Sequence, residues 1–173
     1  MSRRVLALVL IGILFAGIGV YVGVKKYTPA PVTGAESATF FASTFPDARG
    51  APVPMNQYQG KPVLINFWAT WCPPCVDEMP ELDELQKEFG NARVQIIGIG
   101  IDSAANIAEF SQKHNIDYPL VVAGAGGTEL SRQFGNKAGG LPFTILLDGK
   151  GRVNKQYLGR IKLNELRSDL QAL

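Results

Sequence analysis

Asn66-Phe-Trp-Ala-Thr-Trp-Cys72-Pro-Pro-Cys75-Val-Asp-Glu78-Met-Pro80 is the stretch from which the rest of the 173-residue chain is read. It holds the two cysteines of the protein, spaced as C-x-x-C. The apolar run Val63-Leu64-Ile65 feeds it and a charged, helix-like segment follows, so both thiols fall where a buried strand turns into a helix. A helix N-terminus presents unpaired N–H groups and partial positive charge, which stabilises a thiolate and lowers its pKa. Cys72, first in the pair and beside Trp71, is the expected attacking thiol; Cys75, one turn on, is the expected resolving thiol.

Two plainer roles for the pair compete with redox chemistry. C-x-x-C is also half of a four-ligand zinc site, but the chain has no second cysteine pair, and its one histidine, His114, is remote and reads as an exposed helix-end residue. A structural disulfide across two residues closes too small a loop to contribute much chain entropy. A reduced pair could also carry copper(I), although no methionine or histidine cluster accompanies it. No metal site is assigned. Glu78 follows Cys75 by three residues and shares its helix face. It is either a proton acceptor for Cys75, raising that thiol's pKa by charge repulsion, or an acidic residue favoured by the helix dipole.

Taken in order, the chain begins with an apolar segment, Val5 to Val24, free of charge and long enough to span a hydrocarbon core. Arg3 and Arg4 precede it, Lys25 and Lys26 follow, and the run is longer than the apolar core of a cleaved signal peptide. Residues 1–26 are therefore expected to be an uncleaved membrane anchor. Residues 27–39, rich in Pro, Ala, Thr, Ser and Gly, read as a flexible linker. Residues 40–173 form the remaining domain, opening with a β-hairpin of Phe40 to Phe45 and Val53 to Met55. The buried strand Pro62 to Ala69, the thiols and a helix to about Phe89 come next, with Gly90-Asn91 as its stop. Strand Arg93 to Ile101, helix Ala104 to His114 and strand Tyr118 to Val122 lead to a glycine loop, 124–127, and a short helix, Thr128 to Phe134. Strand Phe143 to Leu147, a turn, strand Arg152 to Leu158 and helix Lys162 to Leu170 close the chain. Strands alternating with helices, then a hairpin and a helix, give an α/β core with a mixed sheet.

Phe67-Trp68-Ala69-x-Trp71-Cys72-x-Pro74-Cys75, Pro80, and Gly140-Leu141-Pro142-Phe143-Thr144 resemble the active-site signature, helix proline and cis-proline loop of the thioredoxin superfamily. The resemblance covers about Phe40 to Leu173. The hairpin, the anchor and an extra strand–helix insert before Pro142 are similar to the TlpA and ResA branch. The cytochrome-maturation branch (DsbE) is close, but its proline loop usually reads Gly-Ala-Pro-Glu where this chain has Gly-Leu-Pro-Phe. The resemblance implies a cis Pro142 beside the thiols, and Trp71, Leu141 and Pro142 as substrate-binding residues. In that branch a glutamate at the position of Glu78 tunes the thiols. Thioredoxin itself has a buried aspartate where this chain has Asn66, and an amide cannot accept the proton.

The implied activity is dithiol–disulfide exchange on exported proteins, with no cofactor. Its partners are protein disulfide substrates, such as apocytochrome c or copper-site assembly proteins, and a membrane electron donor of the DsbD or CcdA kind. A peroxidase on the same fold would need a Pro-x-x-x-Thr-x-x-Cys pattern, which is absent around Cys72. The direction expected is reductase, the alternative being a periplasmic oxidant. Pro73 lacks an N–H, no cation lies inside the motif, and Asp77 and Glu78 add negative charge, all of which disfavour the thiolate. The positive flank and the chemistry together place the N-terminus in the cytoplasm and the domain outside the inner membrane, in an oxidising compartment. Beyond Lys26 the chain carries 13 basic and 15 acidic residues with no basic run, which gives nucleic-acid binding no support.

Overall fold

A computed structural model describes residues 12–15, 17–19 and 34–173 of the chain. It divides into two units, Met1–Pro31 and Val32–Leu173. In the first, residues 12–15 and 17–19 are helical and exposed. Most of the expected membrane segment lies outside the described residues, among which no helix is long and apolar enough to cross a membrane.

The second unit is built on a five-stranded mixed sheet. Its strands are β3 (Val63–Trp68), β4 (Gln95–Gly100), β5 (Leu120–Val122), β6 (Phe143–Leu147) and β7 (Val153–Leu158), in the order β5-β4-β3-β6-β7. β3, β4 and β5 run parallel, and β6 and β7 are antiparallel to their neighbours. β3, β4 and β6 are buried along their whole length, which is why they read as continuous apolar runs. Helices cover both faces. Leu64 and Trp68 meet α2 (Pro73–Arg93), α3 (Ala104–His114) and α5 (Leu163–Gln171) on one side, through Leu82, Phe110 and Leu166 among others. Val63, Ile65 and Phe67 meet α1 (Ala35–Ala42) and α4 (Gly126–Gln133) on the other, through Phe40, Leu130 and Phe134. The connection from β4 to β6, which holds the expected strand–helix insert, is α3–β5–α4, and β5 lies at the sheet edge.

Three local expectations are corrected. Phe40 to Phe45 is not one strand, because the chain is helical to Ala42 and extended only from Thr44. Ser37, Phe40 and Phe41 are buried, the three-and-four spacing of a helix face, and Phe40 packs edge-on against Phe41 and Phe134. Adjacent phenylalanines imitate strand propensity when the partner they pack on is unknown. Helix α1 also takes residues 35–39 from the stretch read as linker. The hairpin is then short, β1 (Thr44–Pro46) against β2 (Pro52–Pro54), and Asp47 bridges to Val121 so that it sits beside β5. Residues 126–127 are likewise helical, not loop. At Gly127 a Cβ would come within 2.8 Å of Ile101 Cγ1 and 3.1 Å of Ala123 Cβ, so the glycine serves close packing rather than a turn.

Candidate active site

The site stands at the C-terminal end of β3. Residues 69–72 turn the chain from the strand into α2, with the Cys72 N–H donating to the Ala69 carbonyl at 3.2 Å. Cys72 is the N-cap of α2, and Pro73 and Pro74 occupy its first positions, where a missing N–H removes no helical hydrogen bond. The N–H groups of Cys75 and Val76 both donate to the Cys72 carbonyl, at 3.0 and 3.1 Å. Cys72 and Cys75 form a disulfide with their Cα atoms 5.3 Å apart. Cys72 is 5% exposed and Cys75 wholly buried, while Trp71 next to them is 66% exposed. Access to the disulfide is therefore from the Cys72 side.

The Leu141–Pro142 peptide is cis. Phe143 pairs with Phe67, so the antiparallel register brings Leu141-Pro142 to the end of β3 from which the thiol turn leaves. Leu141 is half-buried against the core cluster that contains both cysteines. The Pro142 carbonyl accepts from the Gly159 N–H at 2.8 Å, and buried Asn136 donates through Nδ2 to the Gly140 carbonyl at 2.9 Å. Asn136 thus braces the proline loop from the segment after α4.

Glu78 is 1% exposed. Its Oε1 accepts from Asn66 Nδ2 at 2.8 Å and its Oε2 from the Ile161 N–H at 3.0 Å. Asn66 Nδ2 also donates to Thr144 Oγ1 at 2.9 Å. The acid is thus held by a side chain of β3 and by the loop before α5, and its holder is tied to β6. It is an interior carboxylate, not a solvent-facing one that answers only to the helix dipole. Burial pushes its pKa up to about 7, although the bonds from Ile161 and Asn66 and the charge of Arg160 pull the other way. Tyr118, fully buried, is held well above its ordinary value by burial and by the charges of Glu78 and Asp83.

His114 ends α3 but is half-buried rather than exposed, its ring stacked on Phe110 at 4.3 Å. It borders a groove of about 360 Å³ that also takes in Thr70, two residues before the thiol pair, and Val76, directly after it.

The family model described as "AhpC/TSA family" matches residues 36–168, the greater part of the chain. The chain belongs to the AhpC/TSA family. It is similar to the thiol-disulfide oxidoreductase ResA of Geobacillus thermodenitrificans, 28% identical over 175 residues that cover 99% of this chain and 97% of that one. It is also 25% identical to the thioredoxin-like protein YneN of Bacillus subtilis, over 96% of this chain and 94% of that one. Among solved structures, a secreted Mycobacterium tuberculosis disulfide oxidoreductase homologous to E. coli DsbE superposes with a TM-score of 0.65 at 23% identity. That likeness covers 77% of this chain and 97% of the other, and bears on the fold. The protein is a ResA-like member of the thioredoxin superfamily.

Three contributors to the site went unnoticed in the sequence. Thr144 and Asn136 are ordinary polar residues whose partners lie on other elements. Asp102 reads as a helix cap, and in the structure it also reaches the thiol turn, where its Oδ2 accepts from the Thr70 N–H at 3.2 Å.

Proposed function

We propose that this disulfide oxidoreductase acts as a reductase of exported proteins, held at the outer face of the inner membrane by Val5 to Val24. The observation that carries the reading is Glu78, a buried acid titrating near neutrality one helical turn beyond Cys75. In the reduced protein the Cys72 thiolate attacks a client disulfide. A Cys72–client bond forms and the client's own S–S bond breaks, releasing one client thiolate. Cys75 passes its proton to the Glu78 carboxylate and attacks Cys72 Sγ. The Cys72–Cys75 bond forms, the second client thiolate leaves and takes up a proton, and two electrons have moved from the dithiol to the client. A membrane dithiol donor of the DsbD or CcdA kind reverses the same steps to recharge the pair.

The reducing direction is supported by the helix start. Pro73 and Pro74 offer no N–H to a Cys72 thiolate, and no cation lies between the cysteines. A thiolate less stabilised than in a strong oxidant makes the disulfide the favoured form. The anchor is supported by an uncharged apolar run between two basic pairs, with its arginine side toward the cytoplasm. Apocytochrome c and copper-site assembly proteins are the candidate clients.

Cys75→Ser tests the exchange, and the redox potential of the native pair tests its direction. This variant should accumulate mixed disulfides with client proteins through Cys72, and Cys72→Ser should accumulate none. Equilibration of the native pair with glutathione and dithiothreitol buffers should give a potential nearer about −270 mV than about −120 mV. A value above about −150 mV would exclude the reductase direction while leaving the exchange chemistry in place.

A further inference from the structure

Asp102 follows β4 directly, and its two carboxylate oxygens serve different elements. Oδ1 accepts from the Ser103 N–H at 2.7 Å and from Asn106 Nδ2 at 2.7 Å, both at the start of α3. Oδ2 accepts from the Thr70 N–H at 3.2 Å and from the Thr70 hydroxyl. Thr70 stands two residues before Cys72, inside the turn that carries the attacking sulfur. Capping of α3 is already supplied by Ser103, whose Oγ accepts from the Asn106 N–H at 3.2 Å. The second oxygen therefore has no part in the helix cap and is committed to the thiol turn. Burial alone would raise the carboxyl's pKa, but the bonds from Thr70, Ser103 and Asn106 outweigh it and hold the group below its ordinary range. It stays an anion at neutral pH and keeps its acceptor role throughout the reaction.

We propose that Asp102 is a positioning residue for disulfide exchange, holding the Ala69–Cys72 turn through Thr70 so that Cys72 Sγ meets an incoming disulfide in line with the bond it breaks. The proposal rests on the exchange reaction set out above. Asp102 gains and loses no proton, and the S–S bonds made and broken are those of that reaction. Within the turn the Cys72 N–H also donates to the Ala69 carbonyl, and the turn lies between a buried strand and a proline-started helix. Without the carboxylate, the N–H and the hydroxyl of Thr70 both lose their acceptor, and the sulfur's approach is less fixed. Small errors of approach are costly, since attack needs the reacting atoms close and aligned. A protein disulfide, sterically confined, feels this more than a small alkylating reagent does.

The test uses the reduced full-length chain with Cys75→Ser, so that only the first attack is read. Mixed-disulfide formation with insulin is compared with alkylation by iodoacetamide at a pH where Cys72 is fully ionised, and the thermal unfolding midpoint is recorded. Asp102→Ala and Thr70→Val should each slow the insulin reaction about tenfold while changing the iodoacetamide rate less than about twofold. Thr70→Ser, which keeps both donors, should restore the insulin rate. Ser103→Ala, which removes only the α3 cap, should lower the unfolding midpoint and leave the insulin rate alone. Equal losses toward both reagents, an unchanged insulin rate in Asp102→Ala and Thr70→Val, or a Ser103→Ala variant as slow as Asp102→Ala would each overturn the proposal. If Asp102→Ala does not fold, the Thr70 pair decides the matter. Failure of the unsubstituted chain to react with insulin would overturn the exchange reaction, and this proposal with it, and is distinguishable because it precedes any substitution.

Discussion

Glu78 has its unusual titration because β3, α2 and the loop before α5 close around it, and this has consequences for both rate and stability. In the unfolded chain the carboxyl ionises near its ordinary value of 4.5, whereas in the folded disulfide form burial moves it to about 7. The folded state therefore holds a proton that the unfolded state has released between those values. The stabilisation is complete below about pH 4.5 and is lost as pH rises through 7. The loss amounts to at most about 3 kcal/mol. Glu78→Gln keeps the shape and removes the proton. Urea unfolding of the oxidised protein at pH 5 and pH 8 should show the native chain weakening across this interval and the variant staying flat. A variant that weakens as much as the native chain would mean another group carries the pH dependence. The same substitution should slow resolution of the mixed disulfide by Cys75 about tenfold or more near pH 7, because an amide cannot take the thiol's proton. Rapid-quench measurement of client release reads that step directly. Asn66 shares this residue-scale logic: as an amide it holds Glu78 with an N–H and cannot itself take a proton.

At the scale of elements, α2 joins the thiols to the core. Its first turn carries Cys75, and Met79, Leu82 and Leu85 bury one face against the sheet. Its regular course ends at Gly90, which has φ 70° and ψ 155°, a conformation open essentially only to glycine. No atom lies within 4 Å of where a Cβ would stand, so any cost of adding one is backbone strain alone. Gly90→Ala should destabilise the protein by about 1–3 kcal/mol, measured by chemical denaturation, with the exchange rate of the folded fraction unchanged. Loss of less than about 0.5 kcal/mol would show that the kink at Gly90 relaxes freely. Helix α1 makes a different point. Its burial of Phe40 against Phe134 gives the N-terminal side of the domain a packed start, and nothing in residues 35–42 alone announces the partner.

For the whole molecule, the sheet order puts β5 at the edge opposite β7, with β4 and β3 between it and β6. The centre is left to β3, which delivers the thiols, and to β6, which begins at the proline loop. Carbonate washing of cells making the native chain should leave it in the membrane fraction. A soluble protein beginning after Lys26 would show that the apolar segment is removed, and the oxidoreductase would then work untethered.

What the sequence determined by itself was whatever is encoded locally. Continuous apolar runs marked β3, β4 and β6, and Gly90 marked the kink near the end of α2. The C-x-x-C pair at a strand–helix junction pointed to the chemistry, because spacing and helix position bring two thiols within reach of each other and favour the thiolate of the first. The order β5-β4-β3-β6-β7, the helical state of residues 35–42, the interior seat of Glu78 and the reach of Asp102 to Thr70 were decided only by the tertiary structure. Each depends on a partner distant in sequence: Asn66, Ile161 and Glu78 meet across 12 and 83 residues, and Thr70 and Asp102 across 32. Burial and hydrogen bonding act through space, so an acid's pKa and a carboxylate's second task exist only once the chain has closed around them.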